Sequence, residues 1–413
     1  MEKLNNVRWT ILLTLLFLAL SLMLPANLLA AEPKPGDVIN ASNVDQYEEY
    51  FPSFIVKFIK GVDFARPVVI KVREHESYQN PKGYEEWTEK NRGKLTIDSE
   101  GNIQGEYHAG APFPDPKEPN LAQKVIWNFY YRWRSDQWSF HRPGWVAYSQ
   151  RKGGTIFWGS GVQHYVYFTN RVSVNPKPER PNPHGLFFGF VQYVMDGVSR
   201  EMDILIWRYH DPKKQDDMWT YVPSLRRTIR MVSSERANPV RGTAACWDDY
   251  YGFDGKINEF TYKYLGKETN LCLMHQELIP AKGDKYFNYF DHPVLDADPW
   301  ELWDHHVIEI KAKDPRYPES KRILWSTVGL YHATAAETYD KRDEFWKGLF
   351  QSYKPNKTEL GEIGPWMKCQ GYSDFRTSYW TGVIGRKDID YINAEEIDPN
   401  LLEPGMMGTE IFY

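Results

Sequence analysis

The sequence predicts an α+β protein, mainly antiparallel β, with one large sheet and a few helices packed on it. From Trp145 onward, short runs rich in aromatic and β-branched residues alternate with Gly, Pro and Asp turns. The segments between these runs are too short for the crossover helices that a parallel sheet requires. Aromatic residues make up 15% of the chain, although its mean hydropathy of −0.60 is that of a water-soluble protein.

The chain begins with the layout of a secretory signal peptide. Two basic residues precede an apolar run over residues 9–24, and the small residues Ala30 and Ala31 follow it. We therefore expect residues 1–31 to be removed and residues 32–413 to work in the periplasm. An uncleaved anchor is the alternative, but the run is shorter than the ~20 residues that a spanning helix needs.

Residues 32–144 are predicted to be a helical and loop segment in front of the sheet. A short helix begins at Ser42 or Asn43, and a second one begins at Pro52 and ends at Gly61. A first strand is predicted over residues 66–73, and an irregular stretch runs from there to Pro119.

The clearest helix begins at Asn120. Ala122, Ile126, Phe129 and Trp133 recur at helical spacing, so they predict one apolar face directed at the core.

The remaining pattern is β. Strands are predicted over residues 155–158, 163–169, 186–194, 203–209, 219–222, 228–232, 306–312 and 322–329. Turn residues predict one hairpin between Tyr209 and Trp219 and a second at Asp254-Gly255. Residues 335–350 fit a helix about as well as a hairpin.

Several large rings share strand faces and are candidates for ligand binding. Alternation places them in pairs on one side of a strand, either as core or as the wall of a groove for an apolar guest. The candidate ligand-binding aromatic residues are Phe129, Trp133, Tyr165, Tyr167, Trp207, Tyr209, Trp219 and Tyr221. Arg226 and Arg230 share a face and could hold a carboxylate or phosphate group bidentately; the alternative is a solvated strand face.

Three carboxylates lie close together in the sequence at Asp248, Asp249 and Asp254. They fit a turn or the acids of a hydrolase, but not the ligand spacing of a helix-loop-helix calcium site. His305 and Glu309 share a strand face, and two ligands do not make a metal site. We predict no catalytic residue, no metal and no cofactor.

The three cysteines, Cys246, Cys272 and Cys369, lack the spacing of a zinc or haem site. In an oxidising compartment we predict a Cys246–Cys272 disulfide, with the third thiol free. The formal net charge of −5 argues against a nucleic-acid partner.

Several motifs resemble an exported bacterial family catalogued as domain of unknown function 1329, which is grouped with the LolA and LolB lipoprotein carriers. The motifs are Pro35-Gly36-Asp37 with Asn43, Gly110-Ala111-Pro112-Phe113-Pro114, Trp219-Thr220-Tyr221-Val222-Pro223-Ser224-Leu225-Arg226-Arg227, and residues 248–256. The resemblance implies that residues 32–413 form one LolA-like half-barrel sheet wrapped around helices, with a concave apolar face.

The resemblance and the aromatic strands together predict a periplasmic carrier or binding protein for a hydrophobic or lipid-like ligand. The resemblance also implies an exporter of the resistance-nodulation-division type, or an outer-membrane protein, as a partner. Two alternatives remain: a periplasmic hydrolase that acts on glycans or lipids through Asp248, Asp249 or Asp254, and a structural adaptor of an export assembly.

Overall fold

A computed structural model describes residues 31–62, 67–149, 151–197, 199–277, 295, 298–384, 390–393 and 397–409. The predicted signal peptide lies outside these residues, apart from Ala31. In the described ranges, no helix combines the length and the apolar character needed to cross a membrane.

The N-terminal part of the chain carries three short helices and two small two-stranded sheets. In chain order its elements are β1 (Val38–Ile39), α1 (Ser53–Lys60), β2 (Ile70–Lys71), α2 (Lys82–Asn91), β3 (Thr96–Ile97), β4 (Ile103–Gln104) and α3 (Leu121–Tyr130). β1 pairs with β2, and β3 pairs with β4, both antiparallel.

All later strands belong to one antiparallel sheet of 14 strands. They are β5 (Gln137–Ser149), β6 (Gly154–Tyr167), β7 (Leu186–Gly197), β8 (Ile204–Tyr209), β9 (Asp217–Val222), β10 (Arg227–Met231), β11 (Phe260–Cys272), β12 (Glu301–Ala312), β13 (Lys321–Thr327), β14 (Ala333–Tyr339), β15 (Phe345–Lys357), β16 (Ile363–Asp374), β17 (Tyr379–Ile384) and β18 (Asp390–Ile392).

The sheet consists of two meanders joined at one long-range pairing. Strands β5 to β10 pair in sequence order, and so do strands β11 to β17. The two halves join where β17 pairs with β5, with Trp380 opposite Tyr148, and β18 pairs with β5 as well. Within the described residues β10 and β11 do not pair with each other, so the curved sheet is open.

Both faces of the sheet are covered. Ile204 and Ile206 of β8 belong to a core shared with α3, on what we call the inner face. Leu205 and Trp207 point to the opposite, outer face. The outer face is covered on the β12–β15 half by α1, through Phe54 and its neighbours, and on the β6–β9 half by residues 397–407. The predicted α+β class with a mainly antiparallel sheet is therefore confirmed.

Two of the three predicted helices begin and end close to their predicted residues. α1 ends where Gly61 adopts a left-handed φ of 69°. A Cβ on Gly61 would lie 2.9 Å from the Pro67 side chain, so both conformation and space favour glycine. α3 begins after Asn120 and buries Ile126 and Phe129 but ends at Tyr130, and Trp133 is buried in the segment beyond it.

Other predictions for residues 32–144 differ from the structure. The predicted helix at Ser42 or Asn43 is two 3₁₀ turns, Val44–Gln46 and Glu48–Tyr50. Of the strand predicted over residues 66–73, only β2 forms within the described part of the chain. Helix α2 was not predicted, because its buried residues Tyr84, Thr88 and Asn91 include two polar side chains and give no apolar period.

The sheet begins before the predicted boundary at residue 144. β5 starts at Gln137. Its first half was not predicted because polar residues, Pro143 and Gly144 interrupt the strand pattern. The pairing with β6 shifts register between His141 and Gly144. The strands predicted over residues 155–158 and 163–169 are one strand, β6. Residues 335–350 form the β14–β15 hairpin.

The predicted Cys246–Cys272 disulfide is wrong in this structure. Cys246, Cys272 and Cys369 are buried free thiols. Cys272 ends β11 opposite Glu301, whereas Cys246 precedes a 3₁₀ turn near Lys347, so the two thiols lie in different surroundings. Burial raises the pKa of all three thiols.

Candidate ligand-binding cavity

The aromatic residues predicted to bind a ligand are divided between the two faces of the sheet. Phe129, Trp133, Tyr165 and Tyr167 belong to the inner core. The other four, Trp207, Tyr209, Trp219 and Tyr221, lie on the outer face.

The outer-face rings are covered by the C-terminal residues of the chain. The Trp207 indole Nε1 donates to the Leu402 carbonyl oxygen at 2.7 Å. The Tyr193 hydroxyl donates to the Leu401 carbonyl oxygen at 3.0 Å. Leu402 and Met407 are buried against these rings. Among the residues that the structure describes, the outer face is therefore packed core in this region.

The two arginines predicted to hold an anion lie at the edge of the sheet. Arg226 is exposed and ends a 3₁₀ turn with a left-handed φ of 49°. The Arg230 side chain is 66% exposed and forms an ion pair with Asp217. Neither arginine reaches the inner core, so the alternative prediction, a solvated strand face, describes them better.

An apolar cavity of about 40 Å³ lies on the inner face. Its walls come from β5 to β8, β16 and β17, and it is closed by residues 240–254, which we call the strap. The lining residues are Trp138, Phe140, Gln163, Tyr165, Phe188, Phe190, Ile206, Trp247, Tyr250, Tyr251, Asp254, Met367, Gln370 and Val383. Of the aromatic residues that line this cavity, only Tyr165 is among the predicted ligand-binding residues. Trp138 and Phe140, and likewise Phe188 and Phe190, also alternate along a strand and so share one face.

A second cavity of about 30 Å³ adjoins the first. Gln163, Trp247, Tyr250 and Val383 line both. Trp247 and Tyr250 thus stand between two small apolar spaces beneath the same strap.

The two cavities are small in this conformation. A cavity of about 40 Å³ has room for about two or three water molecules, whereas ligand pockets usually hold roughly 300–1,000 Å³. A lipid-sized guest therefore requires the strap to move away from the sheet.

The strap is irregular chain that is hydrogen-bonded to the sheet. It contains the 3₁₀ turns Val240–Gly242 and Trp247–Gly252. Backbone N–H groups of Ala244 and Tyr251 donate to the side chains of Thr381 and Gln370 on the sheet, at 2.9 and 2.7 Å.

The carboxylates of the strap are fixed by ion pairs. Asp249 accepts from Arg322 at 2.5 Å and from Lys347 at 3.2 Å. Burial alone would raise the pKa of Asp249, but Lys347 and Arg322 hold it below its usual value. Glu319 also pairs with Arg322, at 2.8 Å.

A second ion-pair cluster adjoins an open cleft of about 680 Å³, which its members Asp216, Arg236 and Asp248 line. Arg236 Nε lies 2.9 Å from Asp248 Oδ1, and Arg236 Nη2 lies 3.2 Å from Asp254 Oδ2. Arg208 pairs with Asp216 at 2.9 Å and with Asp254 at 3.1 Å. The cleft lies between residues that flank β9, β11 and β12, near the two edges of the open sheet.

These contacts correct the predictions for Asp248, Asp249 and Asp254. They are not on a solvent-exposed hairpin turn, because Asp248 and Asp249 are buried and Asp254 is bound by Arg208 and Arg236. Each accepts from a cation, an arrangement typical of structural salt bridges rather than of a free general acid. The geometry gives no support to a hydrolase.

His305 and His306 are both buried on β12. His305 Nε2 lies 2.8 Å from Thr334 Oγ1, and the Tyr264 hydroxyl lies 3.1 Å from His306 Nδ1. Across the described part of the chain, no group of three or more His, Cys, Asp or Glu side chains is arranged to hold a metal ion.

Comparison with known proteins places the sequence in a family. The family model described as “Protein of unknown function (DUF1329)” matches residues 38–390. The chain belongs to this family. Among curated proteins, none matches the chain.

Solved structures similar to this DUF1329 chain are distant in sequence. A protein described as an outer membrane lipoprotein-sorting domain, from Vibrio parahaemolyticus, is 12% identical over 69% of this chain and 97% of its own, with a TM-score of 0.49. A DUF1329 family protein from Desulfovibrio piger is 14% identical over 66% and 92%, with a TM-score of 0.45. A LolA superfamily protein from Nitrosomonas europaea is 12% identical over 68% and 97%, with a TM-score of 0.39.

Proposed function

We propose that this protein binds and carries a hydrophobic, lipid-like molecule in the periplasm, between the inner face of the sheet and the strap. The observation that carries the proposal is the pair of adjoining apolar cavities, which are lined by aromatic rings and closed by irregular chain. The periplasmic location is supported by the predicted signal peptide, and the exporter or outer-membrane partner stays a prediction from the family resemblance.

The energetics favour a chain-like apolar guest. Each buried methylene contributes about 0.8 kcal/mol, so a chain of ~14 carbons offers on the order of 10 kcal/mol before ordering costs. Part of this energy is needed to displace the strap, since the cavities are small when closed. Release then depends on strap movement or on a partner that stabilises the open conformation.

The first test is the recovery of a ligand from the native protein. We expect the full mature chain, purified from its own periplasm and analysed by native mass spectrometry, to carry lipid-like molecules in a defined stoichiometry. A protein that neither retains such a molecule nor binds the neutral dye 1-N-phenylnaphthylamine would overturn the proposal.

The second test places the ligand on the inner face. Ile206 lines the cavity, whereas its neighbour Leu205 points to the outer core. Ile206→Phe fills the cavity and is expected to weaken dye binding about tenfold or more, by the loss of roughly 1.4 kcal/mol of contact. Leu205→Phe is the matched control, since it overpacks the same strand on the other face and is expected to lower stability without weakening binding. Equal binding by both variants would contradict this location.

A further inference from the structure

Two arginines with few ion-pair partners lie in the inner core. Arg132 and Arg134 belong to the segment between α3 and β5 and are 3% and 6% exposed. Buried arginine is rare unless a carboxylate or another anion accompanies it.

Arg132 is short of partners. Its Nη1 donates to the Phe129 carbonyl oxygen at 2.5 Å, but Nε and Nη2 have no hydrogen-bond partner within the described residues. Its guanidinium lies 4.0 Å from the centroid of the Phe129 ring and 5.3 Å from that of Tyr251. Burial and the neighbouring Arg134 lower the pKa of Arg132 to about 10, so it is still charged at neutral pH.

Arg134 is only weakly paired. Its Nη1 lies 3.8 Å from Asp254 Oδ1, and its Nε has no hydrogen-bond partner among the described residues. Asp254 already binds Arg208 and Arg236 at 3.1 and 3.2 Å. The Asp254 carboxylate is therefore shared by three guanidinium groups.

Two tyrosine hydroxyls lie buried beside the two arginines. The hydroxyls of Tyr165 and Tyr167 interact with each other, and neither has a hydrogen-bond partner beyond the two rings in the described part of the chain. The two tyrosine rings lie 5.6 and 5.5 Å from the Arg134 guanidinium. Burial, together with Arg132 and Arg134, holds the pKa of His332 well below its usual value, so this ring brings no further positive charge.

The local charges do not balance. The cations of this region are Arg132, Arg134, Arg208, Arg236 and Lys256, and the carboxylates near them are Asp216, Asp248, Asp254 and Glu259. Five positive charges thus meet four negative charges, which leaves an excess of one. An uncompensated buried charge costs several kcal/mol, so a bound anion would stabilise this arrangement.

The site is continuous with the apolar cavity. Tyr165, Tyr251 and Asp254 line the cavity, and all three also lie against Arg134. We propose that the ligand is an anionic amphiphile, an inference that rests on the proposed carrier function. Its carboxylate or phosphate group binds Arg132 and Arg134, and its apolar chain occupies the cavity beneath the strap. Guanidinium groups bind both anions bidentately, and the buried hydroxyls of Tyr165 and Tyr167 can donate to the remaining oxygens.

The experiment measures displacement of neutral 1-N-phenylnaphthylamine from the full mature chain. The competitors are tetradecanoate, tetradecyl phosphate, tetradecanol and inorganic phosphate alone. The two anionic amphiphiles are expected to displace the dye at about tenfold lower concentration than tetradecanol, since charge-assisted hydrogen bonds are the stronger kind. Inorganic phosphate alone is expected to have no effect, because it lacks the chain.

Variants separate the head group from the chain. Arg132→Met and Arg134→Met are expected to bind the dye and tetradecanol as the wild type does and to lose the preference for anions. Arg132→Lys keeps the charge and is expected to keep most of the preference. Arg316→Met, at an exposed surface position, is the control.

The outcomes distinguish the two proposals. If neither the dye nor any chain binds, the carrier function itself fails. If the dye binds and tetradecanol competes as well as the anionic amphiphiles, the carrier function survives and the anionic head group is wrong. If inorganic phosphate binds as tightly as tetradecyl phosphate, the site takes a free anion and the amphiphile is wrong. The concentrations at which the competitors displace the dye from the wild-type protein test the proposal even if an arginine variant does not fold.

Discussion

Trp247 and Tyr250 stack with their ring centroids 5.1 Å apart and their planes 18° apart, and both rings line the two inner-face cavities. The pair divides what would otherwise be one apolar space. It also belongs to the strap, so any movement of the strap moves the partition with it.

Removal of this partition should enlarge the binding space. We expect Tyr250→Ala to join the two cavities and to raise both the amount and the rate of neutral dye binding, since the ring is only half-buried and its loss should cost stability modestly. Stopped-flow fluorescence measures the rate, and Tyr250→Phe, which keeps the ring, is the control. Identical kinetics in all three proteins would show that the pair does not limit access.

The buried ion pairs beneath the strap should contribute strongly to stability. Asp249→Asn leaves Arg322 and Lys347 without their shared carboxylate and should lower the free energy of unfolding by about 3–5 kcal/mol. Urea denaturation followed by tryptophan fluorescence measures the loss. Asp314→Asn removes the exposed pair with Arg316 and should leave the midpoint unchanged. Equal effects would contradict the buried geometry.

Three histidines should make the fold sensitive to mild acid. Burial lowers the pKa of His164, His305 and His306 to about 4. The unfolded chain gains protons near pH 6.5 while the folded chain does not, so stability is complete above that pH and falls as the pH falls toward 4. Each histidine should contribute on the order of 1–2 kcal/mol of loss between pH 7 and pH 5. His305→Gln should flatten the curve of unfolding free energy against pH; an unchanged slope would contradict its neutral buried state.

The thiols should be inaccessible and unpaired. Cys246, Cys272 and Cys369 are buried with raised pKa values, so the native protein should not react with Ellman's reagent. In denaturant without reductant, three thiols per chain should react. Only one reactive thiol after denaturation would show that a disulfide forms in the periplasm after all.

The C-terminal residues should stabilise the outer face without affecting binding. Leu402 is 2% exposed and packs beside Trp207, so Leu402→Ala should cost about 2–5 kcal/mol. Dye affinity under native conditions should stay at the wild-type value, because the cavity lies on the other side of the sheet. A matching loss of affinity would place part of the ligand on the outer face.

Local signals in the sequence predicted much of the fold. Helix α3 was found because its buried residues repeat at helical spacing, and the β8–β9 hairpin because turn residues lie between two apolar runs. The pairing of β17 with β5 is long-range, and no local pattern specifies it. Helix α2 has no apolar period to detect.

The candidate site was harder to predict, for a physical reason. In β8, Ile204 and Ile206 alternate with Leu205 and Trp207, and both sets are buried, so the sequence defines two faces without indicating which one encloses the cavity. The eight rings that the sequence selects are divided evenly between the inner face and the outer face, which the C-terminal residues cover. Arg132 and Arg134 were missed because they lie between two elements and belong to no motif.

In the described part of the chain, β10 and β11 are the two edge strands of the open sheet, and their side chains affect how molecules of this protein meet one another. Arg227 and Arg230 are exposed on β10, and Lys263 and Lys267 are exposed on β11. Addition of a strand from a second copy at either edge would bring like charges together, which opposes edge-to-edge aggregation. These charges therefore protect the two edge strands of the open sheet from pairing with a second copy of the chain.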